Sequence, residues 1–139
     1  MVLQLVKQIH DVCEHVTLAI VVGGGNIIRG SKLVHSFAID QTDADFIGMS
    51  ATIPNALLLE SCLKKSEIKA RVASALAVHS VAEPYIFKRA RKHLENGEVL
   101  ILAGGTGNSG FTTDTTAVVR ASDLQMDIVM KGTKVNGIY

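Results

Sequence analysis

The sequence predicts an α/β fold, a mainly parallel sheet with helices on both faces, in one domain over residues 1–139. Three observations predict it. Apolar runs at 17–22 and 98–103 lack polar alternation, as strands covered on both faces must. The segments between strands carry apolar residues at helical spacing. Eight of the twelve glycines fall in two loops, Gly23-Gly24-Gly25-Asn26-Ile27-Ile28-Arg29-Gly30 and Gly104-Gly105-Thr106-Gly107-Asn108-Ser109-Gly110, each directly after one of those strands.

The elements follow in order. Val2, Leu5, Val6, Ile9, Val12 and Cys13 recur at helical spacing and predict a helix over 2–15. Residues 17–22 form the first strand. A glycine loop and a polar connection lead to one long helix over 42–65, its start favoured by Asp43 and Asp45 and its middle kinked by Pro54. Residues 68–76 read as a second strand. A helix over 82–96 has Pro84 in its first turn and stops at Asn96-Gly97. Residues 98–103 are the third strand, 112–125 a helix, and 127–131 the start of a fourth strand.

Composition narrows the function. Net charge is +1 and no Lys/Arg run exceeds two residues, which leaves out the basic footprint of nonspecific nucleic-acid binding. Aromatics are 4%, too few for base-stacking platforms. No apolar run has membrane-spanning length, and Lys7, His10 and Asp11 break the first helix as a signal peptide. Cys13 and Cys62 read as small core hydrophobes of a reducing compartment, so a cytoplasmic location is expected.

The glycine loops carry the chemistry. A strand that ends in glycines and opens a helix exposes N–H groups to an anion, and Thr112 and Thr113 add hydroxyls. Arg29 lies close enough to the first loop to offer a phosphate a forked pair of donors. Two phosphate-type loops on one sheet imply a protein that holds phosphorylated small molecules. No Gly-x-x-x-x-Gly-Lys-Ser/Thr occurs, which excludes a Walker loop. Gly105-x-Gly107-x-x-Gly110 fits the dinucleotide pattern, but Asp127 then falls at the start of a strand, where the ribose-binding acid sits at a strand's end. Asp45 reads two ways: a helix-start carboxylate, or an acceptor for the hydroxyls of a sugar. The five histidines have no metal-ligand spacing. No metal site is predicted.

Taken together, Gly23-Gly24-Gly25-Asn26 with Arg29-Gly30, Asp45-x-x-Gly48-Met49-x-Ala51-Thr52, Gly105-Thr106-Gly107-Asn108 with Phe111-Thr112-Thr113-Asp114, and Lys131-x-Thr133-Lys134-Val135-x-Gly137 resemble the bacterial UMP kinases of the amino-acid-kinase superfamily. The resemblance implies an αβα sandwich and transfer of a phosphoryl group from ATP to UMP, giving UDP in pyrimidine nucleotide biosynthesis. It implies that Gly24 and Asp45 contact UMP, the carboxylate on the ribose, while Thr106, Gly107, Asn108, Ser109, Gly110, Phe111, Thr112 and Thr113 wrap the nucleotide. Gly25 and Arg29 would lie toward the ATP phosphates, and Thr133 and Tyr139 would border the adenine nucleotide. Asp114 would orient the loop as a helix cap.

The resemblance also implies magnesium carried with ATP, GTP and UTP as effectors, and a homo-oligomer that is a hexamer in the family, with contacts through the first helix and the 42–65 helix. Ser109-Gly110 replaces a proline and an aromatic of the family's loop. The family's opening strand, with Lys-x-Ser-Gly-Glu, and its C-terminal ATP-binding part have no counterpart here, so the chain is expected to be a fragment with impaired catalysis. Two other readings compete: a noncatalytic nucleotide- or oxyanion-binding relative, and a dinucleotide-dependent oxidoreductase.

Overall fold

The computed structural model describes residues 2–132. In chain order the elements are α1 (Val2–Cys13), β1 (Ala19–Val21), α2 (Gly30–Phe37), α3 (Gln41–Ser50), α4 (Thr52–Lys65), β2 (Ala70–Ser74), β3 (Glu83–Pro84), α5 (Phe87–Glu95), β4 (Val99–Ala103) and α6 (Thr113–Leu124). The strands form one parallel sheet in the order β1-β4-β2-β3. Central β4 is buried along its whole length, which explains its unbroken apolar sequence.

Side chains alternate across the sheet. Val99, Ile101 and Ala103 of β4 join Ala70 and Val72 of β2 on one face, beneath Val6 and Ile9 of α1 and Ile53, Ala56, Leu59 and Leu63 of α4. Leu100, Leu102 and Ala73 point the other way and meet Ala90 and Leu94 of α5 and Leu124 of α6. The expected three layers are therefore present, with helices on both faces. Cys13 and Cys62 are free thiols packed at the margin of the first cluster.

Four expectations need correction. The long helix over 42–65 is two helices, α3 and α4, divided at Ala51. Pro54 is the cause: it has no N–H for the Ser50 carbonyl, and its ring crowds that carbonyl, so the break falls one turn upstream. Pro54 thereby sits in the first turn of α4, where a missing N–H costs nothing. The polar connection after the first glycine loop contains α2, a helix of eight residues with none fully buried, whose apolar stripe of Leu33, Val34 and Phe37 is too short to stand out from the polar residues around it. Pro84 does not open a helix. It lies in β3, an edge strand, where proline is tolerated, and α5 begins only at Phe87. Residues 127–131 pair with no strand among the described residues, and Ile128 and Met130 stand exposed.

Contrary to the expectation that no apolar run has membrane-spanning length, the stretch Gln41–Lys65 passes for a span by length and composition. In the fold, its α4 half lays Ile53, Ala56, Leu59 and Leu63 onto the sheet as a core helix. Leu63 is fully buried. Leu63→Ala is expected to lower folding stability by about 2–5 kcal/mol, read from urea denaturation, because the cavity cannot collapse against the sheet.

Candidate functional site

Neighbouring parallel strands make a crevice where the chain leaves them for opposite faces. β1 and β4 are such a pair. The chain after β1 reaches α4 on one face, and the chain after β4 reaches α6 on the other. Both glycine loops stand at this end of the sheet. Thr113 Oγ1 lies 3.9 Å from where a Cβ on Gly23 would be, so the loops are neighbours.

The α3–α4 break anchors both loops. Gly24 is buried against it: a Cβ there would lie 2.7 Å from the Ala51 carbonyl carbon and 2.9 Å from the Thr52 nitrogen. Only glycine lets the first loop approach so closely. Buried Thr52 donates its hydroxyl to the Met49 carbonyl at 2.7 Å and accepts the Gly104 N–H at 2.7 Å. Gly104 itself has φ +76, and a Cβ would meet the Leu76 nitrogen at 2.8 Å, so the second loop also requires glycine where it leaves β4. Asn55, in the first turns of α4, donates to the Gly23 carbonyl at 2.8 Å and exchanges amide hydrogen bonds with Asn26.

Asp45 binds the second loop from α3. Its Oδ2 accepts the Gly110 N–H at 2.7 Å, and its Oδ1 accepts from Gln41 at 2.6 Å. The helix-start role belongs instead to Asp40, which caps α3 by accepting the Asp43 N–H at 2.9 Å. Asp45 is one turn further in. Likewise Thr112, not Asp114, caps α6, accepting the Thr115 N–H; Asp114 pairs with Lys131 at 2.7 Å. Thr106 Oγ1 donates to the Asn108 carbonyl and accepts the Asn108 N–H, which folds the loop tip on itself. Ser109 is half-buried, and Asn108, Gly110, Phe111, Thr112 and Thr113 are exposed.

In the first loop the Ile27 and Ile28 N–H groups both donate to the Gly24 carbonyl, forming one helical turn. Exposed Arg29 donates Nε to the Gly25 carbonyl at 3.4 Å. Gly25 and Arg29 thus sit together, while Thr133 and Tyr139 lie outside the described residues.

A buried polar cluster stands behind the second loop. Arg120 of α6 donates to the Gly105 carbonyl at 3.3 Å and pairs with Asp123 at 3.2 Å, its guanidinium 3.9 Å over the Tyr85 ring. The Tyr85 hydroxyl donates to the same Asp123 oxygen at 3.0 Å, and Arg91 forks onto the Asp123 carbonyl. Burial first, then the hydrogen bond to Asp123 and its negative charge, push the Tyr85 phenol up to about 12. Sequence reasoning missed Thr52 as an anchor, and it missed Asn55 and Arg120 altogether, because each acts on a backbone group far away in sequence.

Other polar features lie elsewhere. His93 bridges Glu83 at 2.7 Å and Glu98 at 3.3 Å, carboxylates that the sequence did not pair with it. Among the described residues no group of three or more His, Cys, Asp or Glu side chains is arranged to hold a metal. A cavity of about 390 Å³ opens between α4 and the β2–β3 edge, but none of its lining residues belongs to either loop. Asp127, the acid of the dinucleotide pattern, lies beyond α6 and outside any strand.

A three-layer sandwich of parallel strands, with paired glycine loops over the strand ends, defines an α/β protein whose candidate ligand site lies at that end of the sheet. The sequence pattern of the amino acid kinase family matches residues 2–139, and the chain belongs to that family. It is 49% identical over 137 residues to the uridylate kinase of Wolbachia pipientis wMel, covering 98% of this chain and 55% of that protein. The crystal structure of UMP kinase from Ureaplasma parvum is similar at a TM-score of 0.93 and 34% identity, over 99% of this chain and 60% of that one. UMP kinase from Bacillus anthracis gives 0.85 and 37%, over 89% and 51%. The chain therefore spans a little over half the length of these relatives.

Two outcomes follow from this geometry. Thr52→Val strands the Gly104 N–H and is expected to cost about 1–3 kcal/mol in urea denaturation. Tyr85 is one of two tyrosines, so its ionisation is resolvable by near-ultraviolet absorbance, with a midpoint expected at about 12. Since folding raises this pKa from 10.0, its contribution is fully present below pH 10 and is lost as pH rises towards 12. Tyr85→Phe should remove that part of the alkaline loss of stability.

Proposed function

We propose that this chain carries the UMP site of a UMP kinase, which transfers a phosphoryl group from ATP to UMP and yields UDP and ADP in pyrimidine nucleotide biosynthesis. The Asp45–Gly110 hydrogen bond supports this reading most directly. It joins, at 2.7 Å, two residues 65 apart that the family resemblance assigns to one nucleotide. In this reading Gly24 lets the nucleotide approach the backbone and Asp45 accepts the ribose hydroxyls. Thr106, Gly107, Asn108, Ser109, Gly110, Phe111, Thr112 and Thr113 surround the rest of UMP. Gly25 and Arg29, already in contact, face the ATP phosphates, with Thr133 and Tyr139 beside the adenine nucleotide.

The acceptor is a phosphate oxygen, ionised near neutral pH, so the reaction requires no general base. Catalysis is positioning and neutralisation of charge on the transferring group. Loop N–H groups and the Arg29 guanidinium supply part of that, and magnesium arrives with ATP as part of the substrate. The free thiols agree with a cytoplasmic setting. Exposed Leu3, Leu5 and Val12 of α1 and Leu58 of α4 offer apolar surface for self-association into the family's hexamer, with GTP and UTP as effectors.

Calorimetric titration of the chain with UMP, CMP and NAD tests the reading. Micromolar, uracil-selective binding is expected, and Asp45→Asn should weaken UMP about tenfold by removing a charged acceptor. Binding of NAD with none of UMP would establish the dinucleotide alternative instead.

A further inference from the structure

The tight turn that opens the second loop has a soft point. The Gly107 N–H donates to the Gly104 carbonyl at 3.1 Å, so Gly105 and Thr106 are the central residues of a four-residue turn. Gly105 has φ +57, whereas Thr106 is not among the residues with positive φ. The peptide between them is the central peptide of the turn, and rotating that one unit interconverts turn types while the flanking chain stays put. Gly105 has no side chain to resist such a rotation, and the strain of a positive φ at Thr106 is the only opposition within the turn itself. A donor on the Gly105 carbonyl does resist it, and Arg120 is that donor.

We propose that Arg120 is a positioning residue for nucleotide binding: its guanidinium pins the Gly105 carbonyl and so turns the Thr106 N–H toward the open side of the loop. A trans peptide points its C=O and N–H in opposite directions, so holding one aims the other. Arg120 suits the task because it is itself over-determined. It is 9% exposed, paired with Asp123 and stacked on Tyr85, while Arg91 holds the Asp123 backbone from α5. A planar fork serves the carboxylate and the carbonyl at once, which a lysine ammonium on a flexible stem does poorly. The ligand side of this inference rests on the UMP site proposed above; the orientation of the loop does not.

The test uses the whole chain with Arg120→Met, Arg120→Lys and Tyr85→Phe, each followed by the Thr106 amide resonance, the melting temperature and UMP calorimetry. Arg120→Met is expected to move the Thr106 amide resonance and weaken UMP about tenfold. Arg120→Lys should recover only part of both. Tyr85→Phe should lower the melting temperature yet leave the Thr106 resonance and the UMP affinity in place, which separates positioning from general stability. If Arg120→Met does not fold, Arg120→Lys decides through the same resonance. An unmoved Thr106 resonance in a folded Arg120 variant overturns the proposal, as does an equal change in Tyr85→Phe. If the unaltered chain binds no UMP, the functional reading fails, while the resonance still decides the role of Arg120.

Discussion

Much of the candidate site hangs on one hydroxyl. Thr52 Oγ1 gives its proton to the Met49 carbonyl at the end of α3 and accepts the Gly104 N–H where the chain leaves β4. The same short segment, Ala51 to Thr52, is the surface on which Gly24 rests. A break between two helices thus becomes the joint at which both loops meet. Pro54 forces the break, Thr52 holds the Met49 carbonyl just ahead of it, and the absent side chain of Gly24 allows the first loop to approach. Neither loop would hold this geometry over a continuous helix.

The loops are fixed from behind by four side chains. Thr52, Asn55, Asp45 and Arg120 each hold a backbone group of a loop glycine: the Gly104 N–H, the Gly23 carbonyl, the Gly110 N–H and the Gly105 carbonyl. All four come from helices packed on the sheet or against α4, so the positions of the loops inherit the rigidity of the core. Such second-layer support keeps loop donors aimed without reorganisation when a charged ligand arrives.

What the sequence disclosed and what it hid divides along the range of the interactions. Strands β1, β2 and β4 and the two glycine loops are written in local composition, and they were legible. So was a disturbance at Pro54, although it was expected as a kink in one helix and is a full break between two. Helix α2 was hidden because its apolar stripe is only Leu33, Val34 and Phe37 long, and β3 because its two residues are a strand only through pairing with Ala73 and Ser74. Residues 127–131 misled in the opposite direction, being strand-like in composition with no ladder among the described residues to join. The family's glycines and threonines gather at one end of the sheet. Of the residues that hold those glycines, Asp45 was singled out but for other roles, and Thr52, Asn55 and Arg120 for none, since Asp45 to Gly110, Thr52 to Gly104 and Arg120 to Gly105 are side chain to backbone bonds that no spacing rule foresees.

Backbone hydrogen exchange with and without UMP decides whether the two loops form one site, tied together at the α3–α4 break. Amides in 23–30 and in 104–113 are expected to gain protection together, with the Gly104 amide already slow in the free chain. Protection confined to one loop, or centred on the cavity lined by Glu60, Lys64, Arg71 and His79, would contradict it.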